Sequence, residues 1–560
     1  MKKFFIFLLL TLFFASNISA QFTKYIVRFK DKTGSSFSID RPAEFLSAKS
    51  IERRTRQHIS IDETDLPVLS RYVDSVRLAG NVTILNQSKW LNEVCIATTD
   101  AAALAKINSF SFVINSQPVK RTVNRDVISK PKFISEIKGI TGIQSPMNPS
   151  DYYSYGNSYG QIHIHEGEYL HNKGFRGEGM QIAIIDAGFY HYQTLPEFDS
   201  ARLTSLIMET YDFVNNEQSV NEDNAHGMQC FSIIAANMPG QFVGSSPNSK
   251  FYLYRSEDVS SESPVEEQYW IAAAERADSI GVDVISTSLG YTQFDNPAFN
   301  YTYADMNGHT TPIAKAAMLA AKKGMILLVA AGNDGDDPWH YIGTPADADS
   351  ILSVGAIDIS GNPAGFSSYG PASDGRIKPT VASVGVATTI SSTDGSIVSG
   401  NGTSFATPNL AGLVTCLWQA FPEFTNMEII EAVKKSSSIY NAPDDRIGYG
   451  IPNFRSAFDN LTQQRTLKNI NSILGTSQME VYPNPFKDNF TVLIRPENTA
   501  TGTFRFYDIS GKFYFSKQVS LSAGQPQVIE FNNIQTLQRG IYILRFSDGK
   551  KKESFKLLLQ

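Results

Sequence analysis

The 560-residue chain predicts a doubly wound α/β domain with a parallel sheet, preceded by a small α+β unit and followed by an all-β sandwich. Three observations carry this. Between residues 155 and 460, continuous apolar runs alternate with well-signed helices. Before residue 120, short alternating strands mix with helical stretches. After residue 477, short alternating runs recur between Gly, Asn, Pro and Asp, which is sandwich spacing.

The first element is a targeting segment. "MKK" precedes the apolar run "FFIFLLLTLFFA" and then "SNISA", which reads as a secretory signal peptide over residues 1–20, cut after Ala20. The run is short for a membrane-spanning helix, and no later segment is apolar for long enough to make one. Cys95, Cys230 and Cys416 are too few for a disulfide scaffold in an exported protein, so stability must come from apolar cores. The formal net charge of −6 argues against a nucleic-acid binder.

That charge is unevenly spread. Residues 21–132 hold 18 Lys+Arg against 11 Asp+Glu, whereas residues 133–560 hold 29 against 44. A basic leading segment and an acidic remainder are expected to attract each other.

The α+β unit covers residues 21–120. "KYIVRFK", "NVTILNQS", "EVCIATT" and "SFVINS" read as strands, and "AAALAKI" as a helix. "PAEFLSAKSIERRTRQ" reads as one helix with Phe45, Leu46 and Ile51 as its apolar residues. Composition then shifts to Ser, Asn, Tyr, Pro and Gly, and residues 121–154 read as a linker. Within residues 155–460, "MQIAIID", "VDVISTSLG" and "MILLVAAGN" read as buried parallel strands. Ser263, Pro264 and Glu266 predict a capping box that opens one helix, which Gly281 closes; Thr311, Pro312 and Gly324 bracket the next. Residues 461–476 are polar and unpatterned and read as a second linker, and residues 477–560 form the seven-stranded sandwich.

In a doubly wound sheet, chemistry is placed at the carboxyl ends of the strands. Asp186 ends "MQIAIID", His226 opens the helix "HGMQCFSIIAAN", Asn333 ends "MILLVAAGN", and Ser404 opens the helix after "NGT". A serine hydroxyl needs a base to become a nucleophile, and an imidazole supplies one near neutral pH. A buried carboxylate orients that imidazole. A carboxamide and a helix-terminal backbone N–H can donate to an oxyanion. Singly, each residue also reads as a turn former or a helix cap.

The order Asp, His, Ser is that of subtilisin, and the surrounding motifs resemble the subtilisin-like serine peptidases (subtilases, peptidase family S8). "IIDAG", "HGMQC", "AAGNDG" and "GTSFATP" resemble that family's Asp, His, oxyanion and Ser motifs. The resemblance implies a triad of Asp186, His226 and Ser404 with Asn333 as oxyanion donor. It also implies substrate pairing along Ser288, Leu289 and Gly290 in "ISTSLG". Two positions depart from the pattern: Ala187 and Met228 stand where the family has hydroxyl residues. Cys230, one helical turn after His226, is expected near the site, either as a small buried hydrophobe or as a point of sensitivity to thiol reagents.

Residues 21–120 resemble the inhibitory propeptides of these enzymes, with Lys120–Arg121 as a candidate cleavage point. In the C-terminal unit "VYPNPF", "YDISGK", "RGIYILRF" and "FKLL" resemble the sorting domains of the Bacteroidetes type IX secretion system. The implied protein is a secreted or cell-surface serine endopeptidase made as a zymogen. Its implied partners are polypeptide substrates, its own propeptide and the secretion machinery. No cofactor is required, and the calcium common in the family has no Asp-rich loop here to assign it. The competing readings are a catalytically inactive surface-binding protein on the same scaffold and a non-peptidase acyl hydrolase. Against the latter, Ser404 sits in G-T-S-F-A and not in a G-x-S-x-G elbow.

Overall fold

Seven parallel strands form the central sheet, in the order Val381–Val384, Leu352–Ile357, Ile326–Ala330, Val284–Thr287, Gln181–Asp186, Lys250–Arg255 and Ile207–Asp212. The computed structural model describes residues 22–121, 138–139, 149–221, 224–475, 477–532, 534 and 537–560. The predicted signal peptide and most of the predicted 121–154 linker lie outside these. The described chain divides into two compact units, residues 1–457 and 458–560.

Every residue of Gln181–Asp186 is buried, as a strand covered on both faces must be. It lies where the chain order of the sheet reverses, so the crevice beyond its carboxyl end is the expected ligand position. The helix Thr403–Ala420 packs across the sheet with all but Gln419 of its residues buried. The helices Val265–Ile280 and Pro312–Lys322 share a core with the sheet through Trp270, Ala277, Ile313 and Leu327. Thr311 caps the second of these, accepting from Ala314 N–H at 3.2 Å, and Pro312 opens it as expected. The first starts differently from the prediction. Glu266 accepts from Ser263 N–H at 2.9 Å, but the Ser263 hydroxyl makes no hydrogen bond, so only half the capping box forms.

The leading unit is a four-stranded antiparallel sheet, ordered Thr83–Ser88, Glu93–Ala97, Phe22–Phe29, Val113–Arg121. The last strand runs to Arg121, the first residue of the predicted linker. Val27, Phe29, Val94 and Ile96 face this unit's own core with Val73 and Val76. Ile26, Cys95 and Val119 point the other way and join the large core around Tyr269 and Trp270. Strand alternation therefore gives this sheet one apolar face for its own core and a second, mixed face, where Ile26, Cys95 and Val119 sit with Lys24 and Arg28, which needs the α/β domain to cover it.

The predicted helix over 42–57 begins only at Ala48, after a 3-10 turn at Pro42–Glu44, because Ser47 caps it by accepting from Ser50 N–H. Its buried residues are Ser50, Arg53 and Arg54 rather than Ile51. The reason is its position across the C-terminal ends of two helices, whose last carbonyls have no intrahelical donor. Ser47 N–H donates to Ser279 O at 2.8 Å, Arg53 to Asp278 O and Lys323 O at 3.2 Å each, and Gln57 to Gly324 O at 2.8 Å. The cations also meet the negative ends of both helix dipoles.

The charge attraction expected from composition is concentrated here. Asp278 receives Arg53 at 2.5 Å, Arg54 at 2.9 Å and Lys89 at 3.4 Å, all on its carboxylate. Burial raises the Asp278 carboxyl, but Lys89, Arg54 and Arg53 overcome it and hold it at about 2. Lys323 answers from the other side, binding Asp65 at 2.8 Å and Asp62 at 2.9 Å.

Residues 461–476 were predicted as unpatterned linker, yet Phe454–Leu474 is one helix. Its apolar residues Ile470 and Leu474, one helical turn apart, pack with Leu493, a pair too short to stand out among the polar residues of 462–472. The second unit otherwise matches the prediction: seven strands in two sheets, one of three and one of four. Phe490, Phe504, Phe506, Phe531 and Leu544 fill its core.

Candidate active site

Asp186 and His226 are brought together by backbone geometry. His226 is the first residue of the helix His226–Ala235, and its N–H donates to Asn224 Oδ1 at 2.8 Å. Gly227 follows, and a Cβ there would lie 2.5 Å from Gly188 O and 2.9 Å from Asp186 Cβ. Glycine is therefore what lets the helix start touch the end of the aspartate strand. The result is a hydrogen bond of 2.7 Å between His226 Nδ1 and Asp186 Oδ1, with Asp186 fully buried and His226 nearly so.

Asp186 Oδ1 also accepts from Ala187 N–H at 2.7 Å, while Oδ2 is buried without a hydrogen-bond partner. A buried carboxylate oxygen normally has one. Ala187 stands where the family pattern has a hydroxyl, so the departure noted in the sequence adjoins an unfilled acceptor.

Ser404 is the second residue of the helix Thr403–Ala420 and is buried to 7% exposure. Its neighbour Phe405 lies against the His226 ring, with centroids 5.9 Å apart. Pro408, inside the same helix, has no N–H to give the carbonyl four residues earlier. That carbonyl is Ser404 O. Ser288 Oγ donates to it at 2.9 Å, and Cys230 Sγ lies 3.4 Å from it. The Ser404 hydroxyl in turn approaches Ser288 O at 3.5 Å. One freed carbonyl thus joins the serine helix, the histidine helix and the strand extension Ser288–Gly290.

Asn333 follows Ile326–Ala330 through Gly332, whose φ of +111° suits glycine. Asn333 Oδ1 accepts from Thr403 N–H at 2.9 Å and from Thr403 Oγ1 at 3.0 Å. Both donors hold the carboxamide by its oxygen, which turns Nδ2 away from them as a donor beside the start of the serine helix. Ser288 and Leu289 are buried and Gly290 is exposed at the end of the strand Val284–Thr287. Tyr291 just beyond pairs with Thr344 through two backbone hydrogen bonds.

All seven residues singled out by sequence thus stand at the carboxyl end of the sheet or in the serine helix that closes it. Thr403 was not singled out, although it orients Asn333; its signal was its place directly before Ser404 in "GTSFATP". Cys230 is fully buried, and burial first, then the Asp186 charge, pushes its thiol well above the usual range. Asp186, His226 and Cys230 offer ligand atoms within 4.8 Å of one another. Among the described residues this is the group that could hold a soft metal ion, and doing so would occupy the imidazole.

Comparisons with known proteins identify three families along the chain. Residues 177–450 match the subtilase family, peptidase S8. Residues 24–136 match the peptidase S8 propeptide domain of Bacteroidota, and residues 480–560 match a secretion system C-terminal sorting domain. A thermostable alkaline protease of Halalkalibacterium halodurans is 27% identical over 274 residues, 49% of this chain and 66% of that protein. A thermophilic serine proteinase of a Bacillus species is 29% identical over 313 residues, 55% of this chain and 69% of that one. The chain thus spans about two thirds of the length of these curated relatives.

Proposed function

We propose, from the premise that this chain carries a subtilase domain behind an S8 propeptide domain and ahead of a secretion sorting domain, that it is a serine endopeptidase made as a zymogen. The observation that carries the reading is the 2.7 Å Asp186–His226 hydrogen bond beside the N-terminus of the Ser404 helix.

Ser404 Oγ attacks the peptide carbonyl while His226 takes its proton, and Asp186 stabilises the resulting imidazolium. Charge gathers on the carbonyl oxygen, where Asn333 Nδ2 and the Ser404 backbone N–H donate. Ser404 lies in the first helical turn, so its N–H has no intrahelical acceptor and sits at the positive end of the dipole. The tetrahedral species collapses to an acyl-enzyme, with the His226 proton going to the leaving amine. Water then repeats the sequence and releases the acid. Ser288–Gly290 receives the substrate backbone. The sorting domain marks the chain for export to the cell surface or beyond. No helix among the described residues is long and apolar enough to cross a membrane.

A fluorophosphonate probe on the processed protein tests the reading. It should label Ser404, and Ser404→Ala should stay unlabelled and keep its propeptide joined. A folded, processed protein that does not react would overturn the assignment.

A further inference from the structure

The propeptide's last described strand ends on an acidic loop next to the site. Arg255 pairs in register with Asp186, and Ser256 N–H donates to Asp186 O at 3.0 Å. The loop that follows therefore leaves the sheet beside the triad aspartate. Glu266, in the first turn of Val265–Ile280, fixes it by accepting from Asp258 N–H at 2.8 Å and Ser263 N–H at 2.9 Å. Within the loop, Asp258 Oδ1 accepts from Ser260 Oγ at 2.6 Å and Ser260 N–H at 3.2 Å.

Asp258 Oδ2 is turned to another task. It receives Lys120 Nζ at 2.7 Å, and Ser261 Oγ accepts from the same ammonium at 2.7 Å. Ser261 Oγ also donates to Asp258 Oδ2 at 3.0 Å. The pair is largely sheltered, with 21% of the Lys120 side chain and 16% of the Asp258 side chain exposed. Lys24, the cross-strand partner of Lys120, places a second ammonium on this face, 2.6 Å from Tyr269 OH. Farther along the chain, Lys138 and Gly139 pair antiparallel with Ser399 and Val398, just before the Ser404 helix. The chain is thus seated at Asp258 upstream and beside the serine helix downstream.

We propose that Asp258 and Ser261 form a cation-accepting subsite on the acyl side of the cleft, selecting substrates with Lys or Arg at one position upstream of the cleaved bond. This rests on the peptidase reading above. Lys120 occupies the subsite in the zymogen. When the propeptide leaves, Lys120 and Lys24 leave with it, and the Asp258 carboxylate, held in its loop by Ser260 and Ser261, remains without its cation. A neutral side chain leaves that charge unpaired, and an acidic one is repelled.

The test uses processed enzyme and quenched peptides of one neutral sequence, with lysine moved one position at a time upstream of the cut. One position should favour Lys over norleucine about tenfold in kcat/KM, the scale of a well-placed charge pair across an interface. Asp258→Asn should bring that ratio near one, and Asp258→Lys should favour Glu at the same position. Ser261→Ala, which removes one acceptor and keeps the charge, should lower the ratio less. Equal rates for Lys and norleucine at every position, or a preference that survives Asp258→Asn, would overturn the subsite and leave the peptidase reading standing. Cleavage of no peptide at all would remove both.

Discussion

The two small β-rich units that flank the α/β domain in sequence treat their surfaces in opposite ways. The C-terminal sandwich is self-contained. Along Ala500–Asp508 and Gly540–Ser547, Phe504, Phe506, Leu544 and Phe546 turn inward, while Arg505 and Arg545 are exposed. The N-terminal sheet turns no such face to solvent, because the α/β domain covers its mixed second side. Its second side is apolar at Ile26, Cys95 and Val119, and its first helix buries two arginines. Those arginines pair with buried carboxylates on the α/β domain and in the unit's own turn at Asp65. A unit with one finished face is built to stand alone, and a unit with none is built to be held. The holding is polar where helix ends must be capped and apolar where strands meet a helix.

That contrast can be broken most severely at Asp278. Asp278→Ala leaves Arg53, Arg54 and Lys89 facing each other without their shared carboxylate. Removing one partner of a buried ion network costs about 3–5 kcal/mol. Urea unfolding of the Ser404→Ala chain, expected on the proposed function to keep its propeptide joined, should show a loss in that range for the propeptide-bearing unit. A change under about 1 kcal/mol, the scale of exposed pairs, would mean that the network is not what holds the propeptide.

Leu544→Ala should cost the sandwich about 3 kcal/mol, a typical core truncation, since Leu544 is fully buried. The loss should be confined to the sandwich's own transition. Its spread to the N-terminal unit would show that the sandwich is not self-contained.

The mildest test is pH. Glu275 accepts from Ser88 Oγ at 2.6 Å and from the N–H groups of Lys89 and Trp90 at 2.8 and 3.0 Å. Burial raises its carboxyl to about 7, even though Lys89 and these donors pull it down. A carboxyl raised in the docked state and ordinary in the free state binds its proton on docking. Docking should therefore be tightest below about pH 4.3 and weaken as pH rises through about 7. After processing, retention of the propeptide on gel filtration should fall by between one and two orders of magnitude in affinity between pH 5 and 8. Glu275→Gln should flatten that slope, and a flat wild-type profile would remove Glu275 from the account.

Much of this was readable in the chain. Buried parallel strands declare themselves as unbroken apolar runs, and the α/β sheet follows from "MQIAIID" and "MILLVAAGN". The candidate site residues stood out because each sits at a strand end or helix start that the pattern marks. What stayed hidden depends on a partner surface. Arg53 and Arg54 look like a solvated helix face until two helix ends need donors. Ser263 looks like a cap by type, but its hydroxyl bonds to nothing. The stripe of Ile470 and Leu474 is too sparse to stand out until Leu493 meets it. Asp258 is one acid among several in "SEDVSSES", and only the strand carrying Lys120 singles it out.

Pro408 is a residue usually read as a helix breaker, and here it acts as a connector. By withholding one N–H, it leaves a single carbonyl that segments from distant parts of the sequence compete to satisfy. Alignment of the Ser404 helix, the His226 helix and the Ser288–Gly290 extension is thereby written into folding itself. An alanine at 408 would offer that carbonyl a local donor, and the three segments would lose their common reference point while each kept its own fold.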